Sequence, residues 1–213
     1  MKLEYVLPAD IERRSFEIIE SELEREIPEE IKPVVMRAIH TTADFDYAEN
    51  LYFSENVIDT ALSVLDRGAL IVTDTNMAKA GINKAALARH GCECECFMAD
   101  KDIAETARLN GTTRAAASVD KAAGLGRPVV YAVGNAPTAL VRLSEHIKAG
   151  TFVPELIIGA PVGFVNVVQS KEMIIETGIP CIVARGRKGG SNVAAAICNA
   201  LLYMLDAKKG LKK

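Results

Sequence analysis

The stretch PVVYAVGNAPTALVRLSEHIKAGTFVPELIIGA, residues 128–160, decides the fold. It opens on a short, continuously apolar run (PVVYAV, 128–133), passes through a helical stretch (136–149) and closes on a second such run (ELIIGA, 155–160). A strand covered on one face alternates apolar and polar residues, whereas a strand buried on both faces is apolar throughout. Two such strands joined through a helix form a βαβ unit, with parallel strands and helices on both faces of the sheet. The pattern spreads outward from here. Similar runs occur at ALIVT (69–73), ECECF (93–97) and PCIVA (180–184), with helical stretches at about 83–90, 101–123 and 166–178 and a last helix at about 190–207. These runs predict a three-layer α/β core over 68–207 built on a mainly parallel, five-stranded sheet.

Upstream the spacing changes. Ile11, Phe16, Ile18, Ile19 and Leu23 recur near helical spacing from Pro8 to about Arg25, and a second helix runs from Glu29 to Thr41 with Pro33 in its first turn. The aromatic-rich DFDYAENLYFS that follows has no clean period and is expected to be an ordered excursion. A third helix spans Glu55 to Arg67 and is stopped by Gly68. Residues 1–67 are therefore expected to form an N-terminal helical extension within a single domain covering 1–213.

The 213 residues are 49% hydrophobic and 25% charged, an ordinary globular composition that argues against disorder. A net charge of -3 argues against a general nucleic-acid surface, although a locally basic pocket for an acidic small molecule is compatible with it. No run approaches the roughly 18 apolar residues of a membrane span. There is no signal-peptide pattern, and five cysteines without framework spacing suit a reducing compartment, so the expected location is the cytoplasm. Cys92, Cys94 and Cys96 alternate with Glu93 and Glu95, which reads as a half-exposed edge strand and not as convergent metal ligands. Cys181 and Cys198 lie in apolar runs and read as buried small hydrophobes.

In open parallel sheets ligands bind beyond the carboxyl ends of the strands. Those positions carry Thr73-Asp74-Thr75-Asn76, Gly134-Asn135-Ala136-Pro137-Thr138, Pro161 to Asn166, and Arg185-Gly186-Arg187-Lys188-Gly189-Gly190-Ser191. In the last of these, three cations precede two glycines and a helix start, so side-chain charge, backbone N–H groups and the helix dipole can converge on an anion. A flexible, solvated basic turn is the plain alternative. The lysine precedes the glycines, so this is not a Walker A loop, and no G-x-G-x-x-G follows the first strand. Arg114, at a helix start in GTTRAAAS (111–118), reads equally as an anion ligand or a surface ion-pair partner.

Of three histidines, His90 and His146 sit at helix ends where a cation suits the helix dipole. His40 differs. In MRAIHTTADFD (36–46) it follows Arg37 by three positions, sharing its helix face, and Asp44 and Asp46 come next. The cluster offers an anion fork, a proton donor and a carboxylate to orient the ring; a capped helix end with a solvated arginine is the structural alternative. No nucleophile elbow and no H-E-x-x-H occur. This equipment suits an isomerase or a binding protein for a polyanionic organic ligand, and a nucleotide-binding enzyme using the 185–191 loop is a further reading.

The segments RRSFEII (13–19), MRAIHTTADFD, TDTNMAKAGI (73–82), GTTRAAAS, VGNAPTAL (133–140), GAPVGFVNVVQSK (159–171) and RGRKGGSNVAAAI (185–197) resemble, in order, the precorrin-8X methylmutases of cobalamin biosynthesis, with the likeness running from about Ala9 to Leu205. The resemblance implies migration of a methyl group from C-11 to C-12 of a corrin precursor, giving hydrogenobyrinic acid from precorrin-8X or cobyrinic acid from cobalt-precorrin-8. It also implies a homodimer with a deep cleft near the subunit interface. His40 then resembles the general acid/base at the nitrogen of the ring that receives the methyl group, and Ser15 and Arg37 resemble substrate contacts. Thr73, Asp74, Arg114 and the loop with Arg185, Lys188, Gly189 and Ser191 would line the cleft. No cofactor or metal is expected, and the expected partner is the corrin precursor, not nucleic acid or membrane. The family pattern after PVGFV ends Glu-Ser-Lys where this chain has Gln169-Ser170-Lys171, so Gln169 is expected to orient Lys171 or neighbouring backbone through its amide. The competing reading is a corrinoid or tetrapyrrole carrier that binds its ligand without transforming it.

Overall fold

The computed structural model describes residues 3–211. Two helices, α1 (Ile11–Glu22) and α2 (Lys32–Thr42), precede a short α3 (Tyr47–Asn50), the strand β1 (Leu51–Phe53) and α4 (Val57–Asp66). Then come β2 (Leu70–Thr73), α5 (Asn76–Gly81), α6 (Lys84–Arg89), β3 (Glu93–Glu95), α7 (Lys101–Leu109) and α8 (Arg114–Ala123). The chain finishes with β4 (Val129–Val133), α9 (Pro137–Ala149), β5 (Leu156–Gly159), α10 (Val167–Glu176), β6 (Cys181–Ala184) and α11 (Ser191–Lys208).

The strands form one sheet in the order β1-β6-β5-β4-β2-β3, parallel throughout except for β1. Side chains of the central strands divide strictly by parity, as a sheet buried on both faces requires. Val130, Ala132, Leu156, Ile158, Ile182 and Ala184 face a core shared with α2, α4 and α11. Val129, Tyr131, Val133, Ile157, Cys181 and Val183 face a second core shared with α7 to α10. On the first face α11 lies against the sheet and α2 packs over it, with Val34, Val35, Ala38 and Ile39 at most 1% exposed.

The expected three-layer α/β architecture is present, with two corrections. The sheet has six strands, not five. The sixth, β1, lies inside the aromatic excursion and pairs antiparallel with β6 in the register Tyr52↔Val183; three residues are too few to show a period. The stretch 101–123 is two helices, broken where Gly111 takes φ +60 and Thr113 accepts a hydrogen bond from the Ala116 N–H to cap α8. The cysteine strand, β3, lies at a sheet edge, its Glu93 and Glu95 paired with Arg127 and Lys79.

Two histidines are tied into the scaffold. His90 Nε2 lies 2.9 Å from Asp206 Oδ1, and the same buried carboxylate accepts from Nε and Nη2 of Arg89. His146 joins Asp120 and Thr151, at 2.7 and 2.8 Å.

The sheet meets α11 with no space to spare. A Cβ on Gly134, just past β4, would lie 2.6 Å from Ser191 Cα, a backbone atom that cannot step aside. Gly134→Ala is therefore expected to cost about 1–3 kcal/mol by overpacking, seen as a lower urea midpoint. Gly124→Ala, whose Cβ meets Lys121 O only at 3.5 Å, is the control and should leave stability within about 0.5 kcal/mol.

Candidate active site

His40 occupies the last turn of α2, which Ala43 closes by entering the left-handed region and donating its N–H to Ile39 O. Its exposed imidazole meets the Phe16 ring of α1 edge-on, with centroids 5.2 Å apart. It borders a hollow of about 270 Å³ whose opposite wall is a stripe of α11: Asn192, Ala195, Ala196, Asn199 and Tyr203. That wall is fixed. Asn199 accepts from the Asn83 N–H and donates to Gly81 O, and Asn83 donates to the Tyr203 hydroxyl. Arg37 borders the same hollow, one turn before His40, so the expected common face is real. Its guanidinium lies between the Phe16 and Tyr203 rings, 4.9 and 5.1 Å from their centroids, and is ion-paired with Glu12 of α1. The Ser15 hydroxyl donates to Ile11 O one turn back along α1.

Helices leave β2 and β4 toward opposite faces, making the gap between these adjacent strands the topological switch point where such sheets usually open a crevice. Here Asp74 fills it. Fully buried, its carboxylate accepts the N–H groups of Gly134, Asn135 and Ala136 at 2.8, 2.8 and 2.6 Å. Burial pushes this carboxyl up and the three amides pull it back. Thr73 is also buried, its hydroxyl placed to donate to Thr75 O or Glu95 O. Thr75 in turn bonds Ser191 at 2.7 Å. Thr73 and Asp74 thus lie beneath the surface as joints between strand ends, and not on an open cleft wall.

The 185–191 loop is basic but largely committed. Arg185 makes a two-pronged pair with Glu172, Lys188 is held by Asp44 and Asp46 at 2.6 and 2.5 Å, and Arg187 lies over the exposed Phe164 ring. Asp44 and Asp46 therefore hold the loop instead of orienting His40 as expected from sequence. Gly189 packs on backbone; a Cβ there would meet Ala160 O at 2.3 Å. With two of its three cations paired, the loop offers less to a nucleotide than its sequence suggested.

Arg114 is exposed at the start of α8 on the other face of the sheet, outside the His40 hollow. Near it a separate groove of about 650 Å³ runs between α8 and α9, lined by Thr113, Thr138, Arg142 and Asn166 among others. The α11 stripe is what the sequence reading missed. Residues 192, 195/196, 199 and 203 recur at helical spacing with polar groups among alanines, a signal hidden by treating that helix as core.

Lys171 of α10 has no exposed surface and donates to Gly186 O and Lys188 O, both at 2.8 Å. The Gln169 side chain is exposed and forms no hydrogen bond among the described residues, so it does not orient Lys171 as expected. Burial pushes the Lys171 amine down to about 8, against a weak upward pull from Glu172. Relative to the ordinary value of 10.5 this costs the folded state about 3 kcal/mol below pH 8. Between pH 8 and 10.5 the unfolded chain keeps the proton and the folded chain sheds it, so this group's contribution to stability rises with pH. Denaturant titrations of wild type and Lys171→Met at pH 7 and pH 10 should show wild type gaining about 2–3 kcal/mol on the variant over that interval. A constant difference would refute the shift.

Comparison with known proteins gives one answer. The family model CbiC, precorrin-8X methylmutase, matches residues 10–204. A cobalt-precorrin-8 methylmutase of Salmonella typhimurium is 44% identical, covering 93% of this chain and 96% of that protein. One from Leptospira interrogans is 40% identical, covering 96% of each. The crystal structure of a precorrin-8X methylmutase from Thermus thermophilus superposes with a TM-score of 0.86 at 37% identity, covering 95% of this chain and 100% of that one. Matched along nearly its whole length in sequence and in fold, the chain belongs to the precorrin-8X methylmutase family of enzymes.

Proposed function

We propose that this protein moves the methyl group at C-11 of its corrin precursor to C-12, as an intramolecular transferase of cobalamin biosynthesis, with His40 as the general acid/base. The observation that carries this reading is the exposed imidazole braced by Phe16 at the rim of a hollow walled by fixed amides. A 1,5-sigmatropic shift needs neither a nucleophile nor a redox group. It needs the macrocycle held in one pose and a proton placed where it favours the rearranged conjugation. Ser15 and Arg37 contact the substrate in this reading, and Arg185, Lys188, Gly189 and Ser191 meet its carboxylate arms, while Thr73 and Asp74 act from below by fixing the loops; Arg114, on the other face of the sheet, is left out of this set. Charge-assisted forks are what acetate and propionate arms require. A carrier without turnover is the weaker alternative, because family membership is membership of an enzyme family. We take cobalt-precorrin-8 as the substrate, since the 44% and 40% identical relatives carry that name.

The working form is a homodimer. A hollow of about 270 Å³ is below the size of ordinary small-molecule sites and too small for a corrin, which supports a reading in which a second subunit completes the cleft. Phe164 and Val165, 81% and 79% exposed, and their neighbours Val162 and Val168 supply an apolar loop suited to that contact. Five free cysteines support a reducing, cytoplasmic setting, and among the described residues no helix is long and apolar enough to cross a membrane.

Anaerobic incubation with cobalt-precorrin-8, and separately with precorrin-8X, should yield the absorption spectrum of cobyrinic or hydrogenobyrinic acid. His40→Ala should still bind product but lose about 10²–10⁴-fold in rate; an unchanged rate would remove His40 from the chemistry. Sedimentation should give a dimer that Phe164→Asp shifts toward monomer, and a monomeric wild type with full activity would refute the shared cleft.

A further inference from the structure

Lys171, the one buried lysine among the described residues, has no part in the chemistry just described. Its surroundings do not need a charge for packing, since an unbranched apolar side chain would fill the same space without burying an ammonium. What the ammonium supplies is direction. It draws Gly186 O and Lys188 O inward, at 2.8 Å each. A trans peptide is planar, with its C=O and N–H opposed, so the N–H groups of Arg187 and Gly189 point away from Lys171. Neither N–H has an acceptor among the described residues. Two further bonds pin the arch, Gly163 N–H to Arg187 O and Gly190 N–H to Ala160 O. Gly186, at φ +75, permits the turn. Two alternate amides left without acceptors in this way are available to an anion, and they lie immediately before the amino end of the 18-residue α11.

We infer that Lys171 is a positioning residue for substrate binding: its two bonds to Gly186 O and Lys188 O turn the Arg187 and Gly189 N–H groups outward to receive a carboxylate arm of the corrin precursor. The inference rests on the methylmutase reading of the site. It gives the basic loop a role carried by its backbone, which remains available while Arg185 and Lys188 are engaged with Glu172, Asp44 and Asp46.

The test is Lys171→Met in the full-length protein, with three readings. Steady-state turnover should show KM raised about tenfold with kcat within about threefold, the signature of lost uniform binding. In a His40→Ala background, the dissociation constant for cobyrinic acid should rise by the same factor. Amide exchange, measured without ligand, should quicken at Gly163 and Gly190 while the buried amides of α11 keep their protection. A variant with unchanged KM and dissociation constant, or with kcat lowered at constant KM, overturns the inference. If wild type neither binds nor converts any corrin, the function reading fails and the ligand assigned here falls with it. The exchange data then decide separately whether Lys171 shapes the loop, and unchanged exchange at Gly163 and Gly190 overturns that as well.

Discussion

The carboxylate of Asp74 closes the place where a sheet of this kind would otherwise be open. Three N–H groups at the start of the β4–α9 connection converge on it at the switch point between β2 and β4. Without that acceptor, the donors would be stranded where water has little access, at a cost of about 1–3 kcal/mol for each group left unsatisfied. The carboxylate is itself tolerable there only because those donors meet it. Each side of the contact therefore requires the other. The Thr75–Ser191 bond and the glycine contacts at 134 and 189 extend the same closure to α11 and to the end of β5.

With the usual crevice sealed, the candidate site groups gather to one side of it, where α2 ends over α11. The arrangement explains why an N-terminal pair of helices is built into the core: α2 brings His40 and Arg37, and α1 brings the Phe16 ring that touches both. His40, exposed at the helix end with the Phe16 ring edge-on to it, stays accessible, as the acid/base role proposed for it requires.

How far the sequence was legible follows from the range of each signal. The βαβ pattern is local, repeats along the chain and is enforced by burial on both faces, so the core architecture could be read directly. β1 could not, because a three-residue edge strand owes its existence to β6, with Tyr52 paired to Val183, 131 positions on. The shared face of Arg37 and His40 is a matter of helical spacing and was readable. That Asp44 and Asp46 would serve Lys188, or that Asp74 would turn inward to the amides at 134–136, depends on contacts across 60 to 144 positions, and residue type alone made both look like site groups. Lys171 shows the same limit from the other side. Its flanks, QSK followed by an acidic residue, look like an exposed helix face, and only the tertiary fold shows that the lysine is buried.

The ion pairs around the site carry a last consequence. Arg37 is held by Glu12, Lys188 by Asp44 and Asp46, and Arg185 by Glu172, each pair joining two different elements. Pairs with this much exposure at Lys188 and Arg185 are worth at most about 1 kcal/mol each, so a ligand carboxylate can displace the internal one at little cost. A single small anion has no advantage in that exchange, because it trades one carboxylate for another and loses its own freedom in solution. A rigid polycarboxylate that engages several cations pays the association cost once and gains at each exchange. On the proposed reading the internal carboxylates act as a filter. They keep the loop and α2 in place when no ligand is present, and they favour a ligand whose acidic arms are carried on one stiff frame with matching spacing.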